Sequence, residues 1–192
     1  MIANRVFDTL SPAAYLRQEQ DSSRKHEYRN GEVYAMAGAS DAHVTISLNL
    51  AALLRSHVRG AGCRAYMADM KARIEAANCY YYPDVMVTCD ERDKEFDDFK
   101  KYPCLIVEVL SPGTEAFDRG DKFFDYRRLE ALQEYVLISQ NSQRLDCFRR
   151  DPSGFWVLQS YVPGDEIHFK SINLKTSFEV LYEDVIFDQT TL

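Results

Sequence analysis

Residues 104–139, CLIVEVLSPGTEAFDRGDKFFDYRRLEALQEYVLIS, decide the class of fold. CLIVEVL (104–110) is apolar on both strand faces, the mark of a central strand covered on each side. Ser111-Pro112-Gly113 is turn chemistry, and the stretch from about Thr114 to Ala131 reads as a helix. EYVLIS (134–139) is a second buried-looking strand. Strand, crossover helix and strand in that order make a right-handed unit, with the second strand parallel to the first.

Upstream, YYYPDVMVTC (80–89) and CRAYMADMKARIE (63–75) read as strands separated by the turn-like Ala76-Ala77-Asn78. They are joined to CLIVEVL by the charged loop DERDKEFDDFKKY (90–102), closely enough to be antiparallel neighbours. Before them, Ser40 or Asp41 caps a long helix, where Val44, Leu48, Ala51, Leu54 and Val58 recur at helical spacing up to Gly60. HEYRNGEVYAMAG (26–38) is a hairpin about Asn30-Gly31, and a short helix opens at Ser11-Pro12. Downstream, RLDCFRR, SGFWVLQSYV and EIHF form a β-meander, and SFEVLYED (177–184) a last short helix. The expectation is one α/β (α+β) domain over residues 1–192: a mixed β-sheet flanked by helices, with a core at about 26–150 and an added C-terminal β-meander at about 144–192.

A chain of 192 residues, 46% hydrophobic and 28% charged, is of ordinary globular composition. No run is long and apolar enough for a membrane span, and the N-terminus shows no basic start before an apolar block; the expectation is a cytoplasmic protein without a signal peptide. Five cysteines without a CxxC pair suggest reduced, mostly buried thiols rather than zinc ligands or disulfides. A net charge of −7 counts against a generally basic nucleic-acid surface. Local clusters remain at Arg55–Arg59–Arg64, Arg127–Arg128 and Arg144–Arg149–Arg150, each readable as a solvated face.

Glu108 is the residue that asks for chemistry, because a carboxylate in a doubly covered strand is costly unless it is paired, protonated or bound to a cation. A buried ion pair with Lys or Arg is the plain alternative. Asp84 shares a strand face with Tyr82 and Met86. If the intervening loop folds symmetrically about Phe96, Asp84 stands opposite Glu108 on the same face, and two such carboxylates suit a divalent cation. Asp118, Lys122 and Tyr126 recur every fourth residue on one helix face, at a level where the Lys122 ammonium can reach the carboxylates. An exposed Lys122–Asp118 pair is the other reading. Lys71, placed opposite Asp84 by hairpin symmetry about Ala77-Asn78, is a rival lysine. No Ser-His-Asp or Cys-His spacing, Walker loop or GxGxxG loop is present.

PDVMV (83–87) and LIVEVLSPGTEAFDRGDKFFDYR (105–127), together with the earlier RNGEVYAMAGAS and Asp41-Ala42-His43 and the later EYVLI, resemble the Uma-type restriction endonuclease family, long carried as a domain of unknown function. The resemblance runs from about His26 to Arg150. That family is assigned to the PD-(D/E)XK nuclease superfamily, so the resemblance implies that core and a metal-dependent endonuclease. Asp84 and Glu108 would then be the catalytic, metal-binding acids for Mg²⁺ or Mn²⁺, with Lys122 as third member. Val109-Leu110 stands where the usual X-K would be, so the helix lysine replaces the strand lysine. Glu32, His43 and Tyr126 are supporting candidates. The implied reaction is phosphodiester hydrolysis by a metal-activated water, in DNA rather than RNA on family grounds. No membrane partner is expected, and a homodimer is left open. The rival reading is a catalytically inactive nuclease fold kept as a binding or regulatory module.

Overall fold

A computed structural model describes residues 10–187. Residues 1–9, on which the reading of the N-terminus partly rests, lie outside them. The strands are β1 (His26–Arg29), β2 (Glu32–Ala35), β3 (Arg64–Met67), β4 (Lys71–Ile74), β5 (Cys79–Tyr81), β6 (Val85–Thr88), β7 (Phe99–Lys100), β8 (Pro103–Leu110), β9 (Glu134–Ser139), β10 (Leu145–Arg150), β11 (Trp156–Tyr161), β12 (Ile167–Phe169) and β13 (Leu174–Thr176). The helices are α1 (Pro12–Gln20), α2 (Asp41–His57), α3 (Glu115–Phe117), α4 (Phe123–Tyr126) and α5 (Phe178–Leu181). A π-helical turn, Asp118–Lys122, joins α3 to α4.

The larger sheet has the order β11-β10-β9-β8-β6-β3. β8 and β9 are parallel through the crossover helix, in the register Leu105↔Glu134 to Leu110↔Ser139, while β3, β6 and β8 are antiparallel neighbours. The C-terminal meander therefore extends this sheet through β10 and β11, and β12–β13 forms a separate ribbon. One face of the sheet, with Val85, Val87, Leu105, Val107 and Val109, packs on Ile46, Leu50 and Leu54 of α2. Those three recur every fourth residue and are fully buried, which is why α2 lies flat on the sheet. Ser40 caps α2, its hydroxyl accepting from the His43 amide at 3.2 Å. The other face, with Met86, Ile106 and Leu110, meets Tyr126, Leu129 and Leu132 and the smaller sheet. Glu108 shares that second face by strand alternation.

The smaller sheet, β2-β1-β5-β4-β7, was not visible as a separate layer in the sequence. The expected strand 63–75 is broken at Ala68 (φ 55°), and the expected strand 80–89 is broken at Tyr82-Pro83-Asp84. Pro83 has no amide to give to a ladder, so the chain leaves one sheet there and enters the other. The break corrects the placing of Lys71. Asp84 sits beside Ala68, whose amide donates to the Asp84 carbonyl at 3.1 Å, whereas Lys71 pairs with Phe99 in the smaller sheet. Its ammonium lies 5.1 Å from the Tyr82 ring centroid and donates to the Asp98 carbonyl at 3.4 Å. Asn30 (φ 51°) and Gly31 (φ 97°) close the β1–β2 hairpin with both central residues left-handed, the turn that Asn-Gly favours.

Two further expectations are corrected. The crossover helix stops at Tyr126 rather than about Ala131, because Arg128 and Leu129 close tighter turns on Asp125 and Tyr126 and swing Leu129 and Leu132 into the core. The cysteines are not all thiols: Cys63 and Cys89, directly across from each other where β3 and β6 begin and end, form a disulfide, while Cys79, Cys104 and Cys147 are free and buried. No helix among the described residues is long and apolar enough to cross a membrane. Denatured protein without reductant should therefore show three titratable thiols and five after reduction. Reduction of this 26-residue closure should lower stability by about 2–4 kcal/mol. Five thiols before reductant would contradict the pairing.

Candidate active site

The register of β6 on β8 is Val85↔Val107, Met86↔Ile106 and Val87↔Leu105. Continued by one residue, it sets Asp84 across from Glu108, on the face shared with Met86 and Ile106. Asp84 is anchored through Oδ2, which accepts from the Val109 amide at 2.7 Å and lies 3.3 Å from His43 Nε2. His43 is thus delivered by the first turn of α2. Burial alone would lower the His43 pKa; the hydrogen bond and charge of Asp84 outweigh it and hold the pKa above its ordinary value.

Glu108 and Lys122 are only 3% and 6% exposed, so neither charge can rely on water. Lys122 Nζ lies 3.1 Å from Glu108 Oε1, 3.1 Å from Glu27 Oε1 and 3.4 Å from Asp118 Oδ1. Tyr126 donates its hydroxyl to the same Glu108 Oε1 at 3.0 Å. Burial pushes the Glu108 pKa well above the ordinary carboxylate value; Lys122 pulls it down, and Asp118, Asp84 and Glu27 add to the rise. Burial acts against the Lys122 ammonium, yet Glu108, Glu27 and Asp118 together hold its pKa well above the usual lysine value. Asp118 Oδ1 is buried and accepts no hydrogen bond.

The π turn builds this geometry. It carries both Asp118 and Lys122 on the face toward Glu108, and the buried Tyr135 of β9 donates to the Asp118 carbonyl at 2.9 Å, satisfying a backbone acceptor inside the irregular turn. Glu27 arrives from β1, where Tyr28 points into the opposite aromatic cluster and Glu27 and Arg29 face the crossover helix.

Asp84, Glu108, Lys122, Tyr126 and His43 are therefore brought together, and Glu32 is not. Glu32 lies on the exposed edge strand β2, where it accepts from Tyr34, and the acid that reaches the cluster is Glu27. Sequence reasoning missed Glu27 because a lone acid in a hairpin strand looks solvated. The one available signal was alternation, which sets Glu27 and Arg29 on the face opposite the apolar Tyr28.

Among the described residues no three His, Cys, Asp or Glu side chains converge as a ready metal cage. The donor chemistry nonetheless suits a hard cation. Glu108 binds Lys122 and Tyr126 through Oε1 alone, and Asp84 is anchored through Oδ2 alone, so neither uses its second oxygen in these contacts. Four carboxylates (Glu27, Asp84, Glu108, Asp118) face one lysine and one imidazole, an excess of negative charge that a divalent cation would relieve.

A mixed sheet that presents an aspartate and a glutamate from adjacent antiparallel strands, with a parallel strand reached by a crossover helix, defines a restriction-endonuclease-like fold. The chain belongs to the Uma2 family, described as "putative restriction endonuclease", whose family model matches residues 12–178. It is 42% identical over 181 residues to the uncharacterised protein slr1290 of Synechocystis, covering 94% of this chain and 95% of that one. It is 35% identical over 153 residues to sll1609 of the same organism, covering 78% and 85%. The fold matches the crystal structure of a "putative nuclease belonging to DUF820" from Anabaena variabilis, with a TM-score of 0.76 at 16% identity over 90% of this chain and 97% of that one.

Removing the lysine should expose the cost of the buried acid. Lys122→Met should destabilise the protein by about 3–5 kcal/mol, and Glu108→Gln in the same chain should recover much of it. Glu108 in the Lys122→Met chain would keep a folded pKa above its unfolded one. Its contribution is then full at low pH and lost as pH rises, so that variant alone should lose melting temperature from pH 5 to pH 8 relative to the double variant. Parallel pH profiles would refute the assignment.

Proposed function

We propose that the chain is a divalent-metal-dependent endonuclease acting on DNA. The observation that carries this reading is the Asp84–Glu108 pair in facing register, with the Lys122 ammonium 3.1 Å from Glu108. Asp84 and Glu108 would hold Mg²⁺ or Mn²⁺ through the oxygens not used for anchoring, with water and substrate phosphate oxygens completing the shell, as Mg²⁺ sites with one or two carboxylates do. The cation would polarise the scissile phosphate and make a water more acidic.

The remaining work falls to the protein. The Val109 amide and His43 fix the Asp84 carboxylate, so its free oxygen is pre-aimed. Tyr126 does the same for Glu108. Lys122 would orient the attacking water or offset charge gathering on the phosphate oxygens. Its three carboxylate neighbours keep it charged for that role. DNA as the substrate rests on family membership, as does the endonuclease mode.

The test is cleavage of plasmid DNA over a metal panel, read beside thermal stability. Mg²⁺ or Mn²⁺ should stabilise wild type by preferential binding to the folded state, by about 2.7 kcal/mol at a hundredfold excess over Kd, and so raise its melting temperature. Asp84→Asn should lose both that response and cleavage while remaining folded. Lys122→Gln should lose cleavage by about 10²–10³-fold with metal affinity retained. A wild type that binds metal tightly yet cleaves no nucleic acid would favour a fold retained for binding. Equal metal responses in wild type and Asp84→Asn would move the site elsewhere.

A further inference from the structure

Arg127, Arg128 and Arg150 gather on the outer side of the crossover helix, and Lys170 lines the same cavity as Arg150; none of the four is ion-paired among the described residues. Arg127 and Arg128 directly follow α4, and their guanidinium carbons lie 4.4 and 4.6 Å from the centroid of Phe124, itself 43% exposed. Arg150 reaches this pair from β10. It donates to the Arg127 carbonyl at 2.7 Å and the Glu130 carbonyl at 3.2 Å, and its guanidinium lies 5.1 Å from the Trp156 ring. Arg150 also lines a cavity of about 530 Å³, shared with Gln133, Arg149, Gln159 and Lys170.

Of the acids nearby, Glu134 and Glu130 are paired with other arginines, and Asp151 is held by its own turn. Glu134, at the base of the cavity, accepts from Arg149 at 2.8 Å and from the Lys170 and Ser171 amides at 3.1 and 2.8 Å. Asp151 accepts from the Ser153 and Phe155 amides of its own turn at 2.8 and 2.9 Å. Glu130 turns its carboxylate to Arg92 at 3.5 Å. Among the described residues, Arg127, Arg128, Arg150 and Lys170 form no ion pair, in a chain whose formal charge is −7.

The three guanidinium groups are also held in place. Ring faces and backbone carbonyls fix them, Arg128 adding a 3.0 Å bond to the Ala76 carbonyl, so little side-chain freedom remains to be lost on binding. Planar guanidinium groups match the oxygens of a phosphate. Cations spread from Phe124 to the cavity suit a repeating negative charge rather than a single small anion. We propose that this surface is a second nucleic-acid contact, gripping the phosphodiester backbone outside the carboxylate site. The proposal rests on the nuclease reading. Lys122 and Phe124 lie about 200° apart around one helix of about 10 Å diameter, so the surface stands across that helix from the carboxylate site and about 8 Å along it. The surface would therefore anchor nucleic acid flanking the cleavage position, affecting affinity more than turnover.

The experiment is fluorescence anisotropy with a labelled DNA duplex of about 20 base pairs in EDTA buffer, across a salt series. Wild type is compared with an Arg127→Gln/Arg128→Gln/Lys170→Gln variant, which leaves Arg150 and its backbone contacts intact. Three lost phosphate contacts should weaken binding at least tenfold near 0.1 M salt and flatten the log–log salt slope by about 2.7 units. The metal-induced rise in melting temperature should be unchanged. An Arg127→Lys/Arg128→Lys variant, which keeps the charge, should retain most of the slope, so loss of folding cannot imitate the result. Equal affinity and slope in wild type and the glutamine variant would overturn the inference, while the metal response of wild type against Asp84→Asn would still test the active site separately. A wild type that binds no duplex at all would also overturn the inference.

Discussion

The structure turns on one buried ammonium. Lys122 is surrounded by Glu27, Glu108 and Asp118, three carboxylates from three different elements, at 3.1–3.4 Å. Removing such charges from water is expensive, and mutual attraction repays it only where the geometry is good and the remaining oxygens are bonded. Tyr126 adds a hydrogen bond to the Glu108 oxygen that faces the lysine, and the Tyr82 amide adds one to Glu27. The cluster therefore ties the small sheet (Glu27), the central strand (Glu108) and the crossover helix (Asp118, Lys122) to a common point. None of these elements can shift without stranding a charge. A core of this kind favours one arrangement of the two sheets over others that would bury similar apolar area.

The chain's passage between the sheets supplies the second constraint. The smaller sheet's ladder ends at Tyr81, Tyr82 and Pro83 cross to the other sheet, and Asp84 stands just before β6. Its side chain is then captured by the Val109 amide, one residue past Glu108. The break that looks like a defect in a strand thus delivers one carboxylate to the other. The β6–β8 ladder fixes the level at which they meet, since a one-residue slip would turn Asp84 to the face of α2.

Much of this was legible in the sequence, for identifiable reasons. Apolar runs with a single acid inside them announce a central strand and its costly exception, and Asn-Gly announces a hairpin. The β6–β8 register was readable because its pairing is centred on Phe96, although the loop itself is uneven, with a tight turn at Glu91–Glu95 on one side and β7 on the other. The sheet change at Pro83 was not, because apolar runs on both sides of a break look like one strand. That concealed the smaller sheet, misplaced Lys71 and left Glu27 unrecognised, since its burial depends on a sheet not foreseen. The π turn left no mark either: a period of four along Asp118, Lys122 and Tyr126 fits a regular helix as well as an irregular one.

The packing leaves no room for a lysine on the strand beside Glu108. Leu110, two residues beyond Glu108 on the same strand face, sits where an E-X-K lysine would project, but it is 4% exposed and packed with Tyr126, Leu129 and Leu132. A lysine there would meet an apolar wall. Lys122 instead approaches from the helix and brings Asp118, one turn earlier, as a further counter-charge. The ammonium beside the glutamate thus comes from the helix and not from the strand. The added acids keep that ammonium protonated in a buried site, which a lone strand lysine beside Glu108 would have to achieve against the full penalty of burial.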